Sequence, residues 1–211
     1  PSYINFKNPK FVEIDDKYSA GLLIIDYYRE QNDLILKNLI NSNVNINISM
    51  FIEKQNPEKI IRELTYNIGN VSADLNAKNK NRQDIDIMAF TYDDAKYIRR
   101  QMQLEDEDFY YLYIYVNTFA DNIKELEGNI NKIQSILGYN GIKSRKGYFR
   151  EEQIYFSTMP FFINQKEIKN ATRKNILTSG LISTYPFITN SISDMSGIFI
   201  GKNIYNNSLV F

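Results

Sequence analysis

The sequence predicts an α+β fold: a split-βαβ (ferredoxin-like) mixed sheet with a long helical insertion, followed by a helical segment and a terminal β-hairpin. Three observations predict it. Strand-like and helix-like stretches follow one another as β-α-β twice, a long helical excursion separates the two units, and a pair of short apolar stretches flanks a polar turn at the end of the chain. Two such units form one sheet backed by helices, with the excursion in place of the usual hairpin between the middle strands. A mixed sheet of different strand order fits the same elements.

The first strand is the apolar and aromatic run YSAGLLIIDYY at 18–28. A short helix is expected from Asp33 to about Asn41, facing Leu36, Leu39 and Ile40 inward. Residues 44–51 alternate, with Val44, Ile46, Ile48 and Met50 on one face and Asn45, Asn47 and Ser49 on the other, as a half-buried strand requires. Asn56 and Pro57 then suit a helix entry. Ile60, Leu64, Ile68, Val71 and Leu75 make a helical stripe, and after a polar interval at 76–84 it resumes as Met88, Tyr92, Ala95, Ile98 and Met102. Two helices or one long bent helix fit this pattern.

FYYLYIYV at 109–116 reads as a buried strand. Asn122 can cap a helix and Glu125 can reach back to it, and the stripe Ile123, Leu126, Ile130, Ile133 and Leu137 ends at Gly138. A strand at about 141–148 completes the set. Residues 1–150 are therefore expected to form the sandwich, with its insertion at about 57–106, and 151–190 a helical connector with turn signals at Pro160, Gly180 and Pro186. Residues 191–211 are expected to form the hairpin, from Ile198-Phe199-Ile200 and Leu209-Val210-Phe211 around Asn206, Asn207 and Ser208. The chain starts at Pro1 without a Met and stops inside an expected strand, so it reads as part of a longer protein.

Composition limits the chemistry. Of 211 residues, 25 are basic and 25 acidic, so no global field holds nucleic acid or an anionic membrane. Cys, His and Trp are absent. Without imidazole or thiol there is no Ser-His-Asp or Cys-His catalysis and no ordinary zinc site, which leaves an enzyme only carboxylate, Lys or Tyr chemistry. The lack of Cys suits a reducing compartment. No apolar run approaches the ~20 residues that span a bilayer, and the N-terminus lacks a signal-peptide pattern.

Several local patterns invite a chemical reading. SGIFIGKN at 196–203 is near a phosphate-binding loop, but only three residues separate Gly197 from Gly201, and Asn203 replaces the hydroxyl residue that should follow Lys202. A hairpin explains it better. The acidic run at 105–108 and the pair Asp84 and Asp86 could serve a His-free, metal-dependent phosphodiesterase, against solvated turns and faces. Lys143, Arg145, Lys146 and Arg150, interleaved with Tyr148 and Phe149, could track a phosphate backbone as a nucleic-acid or partner patch. An edge strand with protective charges explains them as well.

From residue 150 onward the order of residues is more specific. Gln153, STMPF at 157–161, Arg173, LTSGLISTYPF at 177–187 and GIFIG at 197–201 closely resemble the stretch leading into the ATPase domain of the CagE/TrbE/VirB-type energising ATPases of type IV secretion and conjugation systems. The strands and helices before residue 150 resemble that family's N-terminal domain. Pro160, Pro186, Phe187, Gly197 and Gly201 carry over as structural matches only, with Pro186 ending a helix and the glycines allowing the hairpin to turn.

The resemblance implies a non-catalytic domain with no catalytic, cofactor or metal residue between 1 and 211; ATP and magnesium belong to an ATPase domain further along. Its implied partners are inner-membrane components of the transfer channel, the chain's own ATPase domain and, through full-length hexamers, other copies. The implied location is cytoplasmic and peripheral to the membrane, without a span.

Overall fold

The structure, a computed structural model, describes residues 1–27, 36–75, 82–184, 197–202 and 209–210, with backbone only at 74–75 and 82–85. The chain opens with β1 (Ile4–Asn5) and β2 (Val12–Ile14), which pair with each other. Neither short strand was expected. Asp15, at φ 51, carries the tight turn from Ile14 to Lys17, and its Oδ1 accepts from the Ser2 and Tyr3 N–H groups at 2.9 Å each.

Next come β3 (Lys17–Tyr27), α1 (Lys37–Ile40) and β4 (Ile46–Lys54), with Leu36 and Leu39 buried at the base of α1. The insertion is two helices, α2 (Pro57–Leu75) and α3 (Arg82–Leu104), packed against each other. Then follow β5 (Phe109–Ala120), α4 (Ile123–Tyr139) and β6 (Ile142–Lys146). Beyond them are α5 (Glu151–Thr158), α6 (Lys166–Thr172), β7 (Lys174–Leu177), α7 (Thr178–Ser183), β8 (Gly201–Lys202) and β9 (Leu209–Val210).

The central strand order is β6-β3-β5-β4. It is the split-βαβ arrangement, and every pair in it is antiparallel rather than mixed. β3 and β4 flank β5, while β5 and β6 flank β3, so each unit encloses a strand of the other. Strand β5 is the keel. Residues 112–118 are buried without a break because the strand is paired along both edges and covered on both faces.

Face one of the sheet presents Ala20, Leu22, Ile24, Leu112, Ile114 and Val116 to α4 and α1. Helix α4 begins as its residues dictate: Asn122 Oδ1 accepts from Glu125 N–H at 2.9 Å, and Glu125 Oε2 accepts from Asp121 N–H at 3.4 Å. Its buried residues are Leu126, Ile130, Ile133 and Leu137, each stabilising the packed state by roughly 1.5–3 kcal/mol. Ile123, expected in the stripe, is 41% exposed in the first turn.

The second face is not solvated. Leu23, Tyr113 and Tyr115 pack on Ile154 of α5 and Ile168 of α6. The stretch expected as a helical connector thus covers the sheet, and it also contributes a strand. β3 leaves β5 after Leu23, and β7 takes over its partners from Leu112 to Phe109. Asp26 holds this junction, bonded to Lys174 of β7 at 2.9 Å and to Lys143 of β6 at 3.5 Å. The base of the α2–α3 pair is fixed by Ile60 against Phe109 and Leu177, with Leu64, Ile98 and Met102 around them.

Candidate functional site

Of the near phosphate loop, Gly201 and Lys202 form a hairpin strand, whereas Ile198-Phe199-Ile200, the expected strand, precedes it outside the strand. Gly201 pairs with Val210 and Lys202 with Leu209, and Ile200 N–H donates to the Val210 carbonyl at 2.9 Å. Gly201 lies in the ladder, not at the turn as expected, and Gly197 precedes it in an exposed bend. The turn residues 206–208, Pro186 and Phe187 lie outside the described residues. α7 stops at Ser183, with Thr184 as its cap.

The acidic run disperses. Asp108 Oδ2 accepts from Lys54 Nζ at 2.5 Å, Glu107 Oε2 from Ser179 N–H at 2.9 Å, and Glu105 and Asp106 face solvent. Asp86 is exposed on α3, and the side chain of Asp84 lies outside the described residues. Among the described residues no group of three or more carboxylates is arranged to hold a metal ion. The basic patch is divided by strand alternation. Ile142 and Lys146 face α4, where Lys146 Nζ donates to Asn131 Oδ1 at 3.3 Å, while Lys143 projects from the opposite face to Asp26. Arg145 shares the Lys143 side and is exposed, as is Arg150 at the cap of α5.

Carboxylate, Lys and Tyr meet at Asp108, which also accepts from Tyr110 OH at 3.5 Å, and more closely under α6. Glu53 accepts from Lys169 Nζ at 2.6 Å and from Tyr113 OH at 3.2 Å; beside them Tyr115 OH donates to Asn164 Oδ1 at 2.7 Å and accepts from Thr172 Oγ1 at 3.2 Å. Burial raises the Tyr113 phenol above its usual range, reinforced by the Glu53 charge, and pushes Tyr115 to about 12. Nucleophilic or base chemistry needs a lowered phenol. The cluster therefore satisfies buried hydroxyls and fastens α6 to the sheet.

Glu151 carries no sequence signal of its position, since acidic residues are ordinary in a first helical turn. On the outer edge of β3, β2 pairs with residues 17–19 and β6 with residues from 22 onward, which leaves Ala20 and Gly21 unclaimed by either strand. Gly147 N–H donates to the Gly21 carbonyl at 2.9 Å, and Gly21 N–H donates to Glu151 Oε2 at 2.7 Å. The carboxyl plugs a gap in the sheet. It is 5% exposed beside a cavity of about 50 Å³ lined in part by Phe11, Leu126, Lys146 and Tyr148. Burial pushes its pKa up to about 8, against the lowering effect of the Gly21 hydrogen bond. The acid is therefore largely neutral at pH 7. A methyl group at either Gly21 or Gly147 would overlap the Ile154 side chain, so both glycines allow α5 its close approach.

The surface also carries an exposed apolar turn. At the end of α5, Pro160 opens a turn in which Phe161, Phe162 and Ile163 are 56%, 91% and 45% exposed. Phe162 stands at φ 57, a left-handed backbone rare for a bulky residue. Phe161 stacks toward Phe156 at 6.2 Å between centroids and Phe156 toward Phe6 at 5.5 Å, so the turn continues an aromatic cluster. Of the other matched positions, Gln153 lies half-buried in α5, and Arg173 lies over the Tyr111 ring at 4.8 Å. No described helix is long and apolar enough to cross a membrane. No protein-family model matches the chain, and no curated protein matches it.

Proposed function

We propose that this chain is the non-catalytic N-terminal docking and assembly domain of a type IV secretion or conjugation ATPase, one that powers DNA or protein transfer and assembly of the pilus or channel. The observation that carries the reading is the ordered set Gln153, 157–161, Arg173, 177–187 and 197–201. In the fold, Gln153, Ser157 and Thr158 of this set belong to α5, which covers the second face of the sheet, Arg173 and Leu177 bound β7, Thr178–Ser183 form α7, and 197–201 lead into the separate β8–β9 hairpin; its Pro160–Phe161 pair opens the exposed aromatic turn. An apolar turn displayed on a well-covered sheet suits contact with another protein surface.

In this reading ATP and magnesium bind an ATPase domain encoded further along, full-length chains form hexamers, and the domain meets inner-membrane channel components from the cytoplasmic side. Isothermal titration of the chain with magnesium-ATP is expected to release no binding heat; a saturable isotherm overturns the non-catalytic assignment. In the intact ATPase, replacing Phe161 and Phe162 with Ser is expected to lower conjugative transfer while ATP hydrolysis is retained. Unchanged transfer removes the aromatic turn as the docking surface.

A further inference from the structure

Helix α3 carries two apolar rows, where a surface helix of a globular protein ordinarily carries one. The first, Met88, Tyr92, Ala95, Ile98 and Met102, is half-buried. The second runs Ile87, Phe90, Asp94, Tyr97, Gln101 and Leu104, at successive spacings of 3, 4, 3, 4 and 3. Its apolar members are 64%, 65%, 57% and 69% exposed. Alternating steps of three and four residues are the heptad pattern of a seam between paired helices, and this row extends about 25 Å at 1.5 Å per residue.

The charges along the row specify the occupant. Asp86, Asp93 and Asp94 lie in its N-terminal half, and Lys96, Arg99 and Arg100 in its C-terminal half. A parallel copy of the helix would set like charge against like, whereas an antiparallel copy sets acid against base. Centred between Ala95 and Lys96, antiparallel pairing puts Ile87 opposite Leu104 of the second copy, Phe90 opposite Gln101, and Asp94 opposite Tyr97 in register. Asp93 then lies near Arg100 of the second copy, twice by symmetry. Asp86 falls near Glu105 at the ends, so the centre carries the contact.

We propose that α3 is a self-association surface, on which a second copy of this chain seats its own α3 antiparallel through the outward row. The inference rests on the helix alone and stands whether or not the chain belongs to a conjugation ATPase.

Sedimentation velocity of the chain across a concentration series tests it. The expected result is a reversible dimer with a Kd of about 1–100 μM that weakens as salt is added. Phe90→Asp and Tyr97→Asp are expected to leave a monomer with the wild-type unfolding midpoint, because both positions are exposed. Asp93→Arg and Arg100→Asp singly are each expected to raise the Kd by about tenfold. The double variant D93R/R100D restores the pairing with reversed signs and is expected to return the Kd to near wild type. A monomer at up to about 0.5 mM, a dimer indifferent to Phe90→Asp, or a double variant no better than the singles each overturns the proposal. A monomeric chain that binds a helix of a different protein through Phe90 overturns it as well, and assigns the row to that partner.

Discussion

Helices α4 and α3 are both amphipathic, yet they stand in opposite relations to the rest of the molecule. In α4 the apolar residues Leu126, Ile130, Ile133 and Leu137 are 2%, 5%, 0% and 0% exposed, all spent on the sheet. In α3 one row is half-buried, and the apolar members of the other, Ile87, Phe90, Tyr97 and Leu104, lie in the open. A single stripe is what a helix needs to join its own core. A second stripe at alternating steps of three and four residues exceeds what the fold uses, and burial against another surface is the physical outlet for it.

The largest effect that tests this contrast comes from deleting one apolar side chain from each helix. Ile133→Ala is expected to destabilise the chain by about 2–5 kcal/mol, since it leaves a cavity in a closed site, whereas Phe90→Ala is expected to cost less than about 0.5 kcal/mol. Urea unfolding of dilute samples measures both. Equal losses would mean that α3 is as embedded as α4.

The next effect concerns pH and falls on the closed side of the comparison. Burial holds the folded pKa of Glu151 at about 8, above the ordinary glutamate value of 4.5. Between those values the folded state binds the proton and the unfolded state does not, so stability falls as pH rises from about 4.5 to about 8 and is level above that. The expected loss across that window is a few kcal/mol. Glu151→Gln keeps a carbonyl for Gly21 N–H and cannot ionise, so it is expected to remove that slope and to exceed wild type in stability at pH 8. A wild-type stability that stays flat or rises through the window would show that the gap admits the charged form.

A smaller effect separates the ends of the two helices. Asn122→Ala removes the side chain that accepts from Glu125 N–H, and thermal unfolding is expected to show a loss of about 1 kcal/mol. The smallest is the exposed pair Lys17–Asp121, 3.0 Å apart with both side chains mostly in solvent. Lys17→Ala is expected to leave the thermal unfolding midpoint nearly unchanged, and any small difference is expected to vanish in high salt.

Much of the fold was legible because periodicity is a local record of burial. The alternation at 44–51 marked β4, the uninterrupted aromatic run marked β5 as a strand buried on both faces, and Asn122, Glu125 and the stripe behind them marked α4 with its cap. The split-βαβ order was one of two arrangements those elements fit, and the strand pairing decides for it. The alternation that makes β6 a strand also separates Lys146 from Lys143 and Arg145, so the basic patch was divisible from the sequence once its strand was taken at its word. The outward row of α3 was equally visible at its spacing, but only its exposure distinguishes it from a second core stripe.

By itself, then, the sequence determined the strands β3 to β6, the helical insertion and α4 with its start, and that imidazole and thiol chemistry are absent, because these depend on residue type and on neighbours a few positions away. Tertiary structure decided that β7 displaces β3 beside β5, that α5 and α6 cover the second face, and that Glu151 reaches Gly21 across 130 residues of chain. Those outcomes depend on how strand edges and side-chain volumes meet in space. Ile154 fits between Gly21 and Gly147 because neither carries a Cβ, and burial of the Glu151 carboxyl holds its pKa well above the ordinary value. No short window of sequence holds both halves of such a contact.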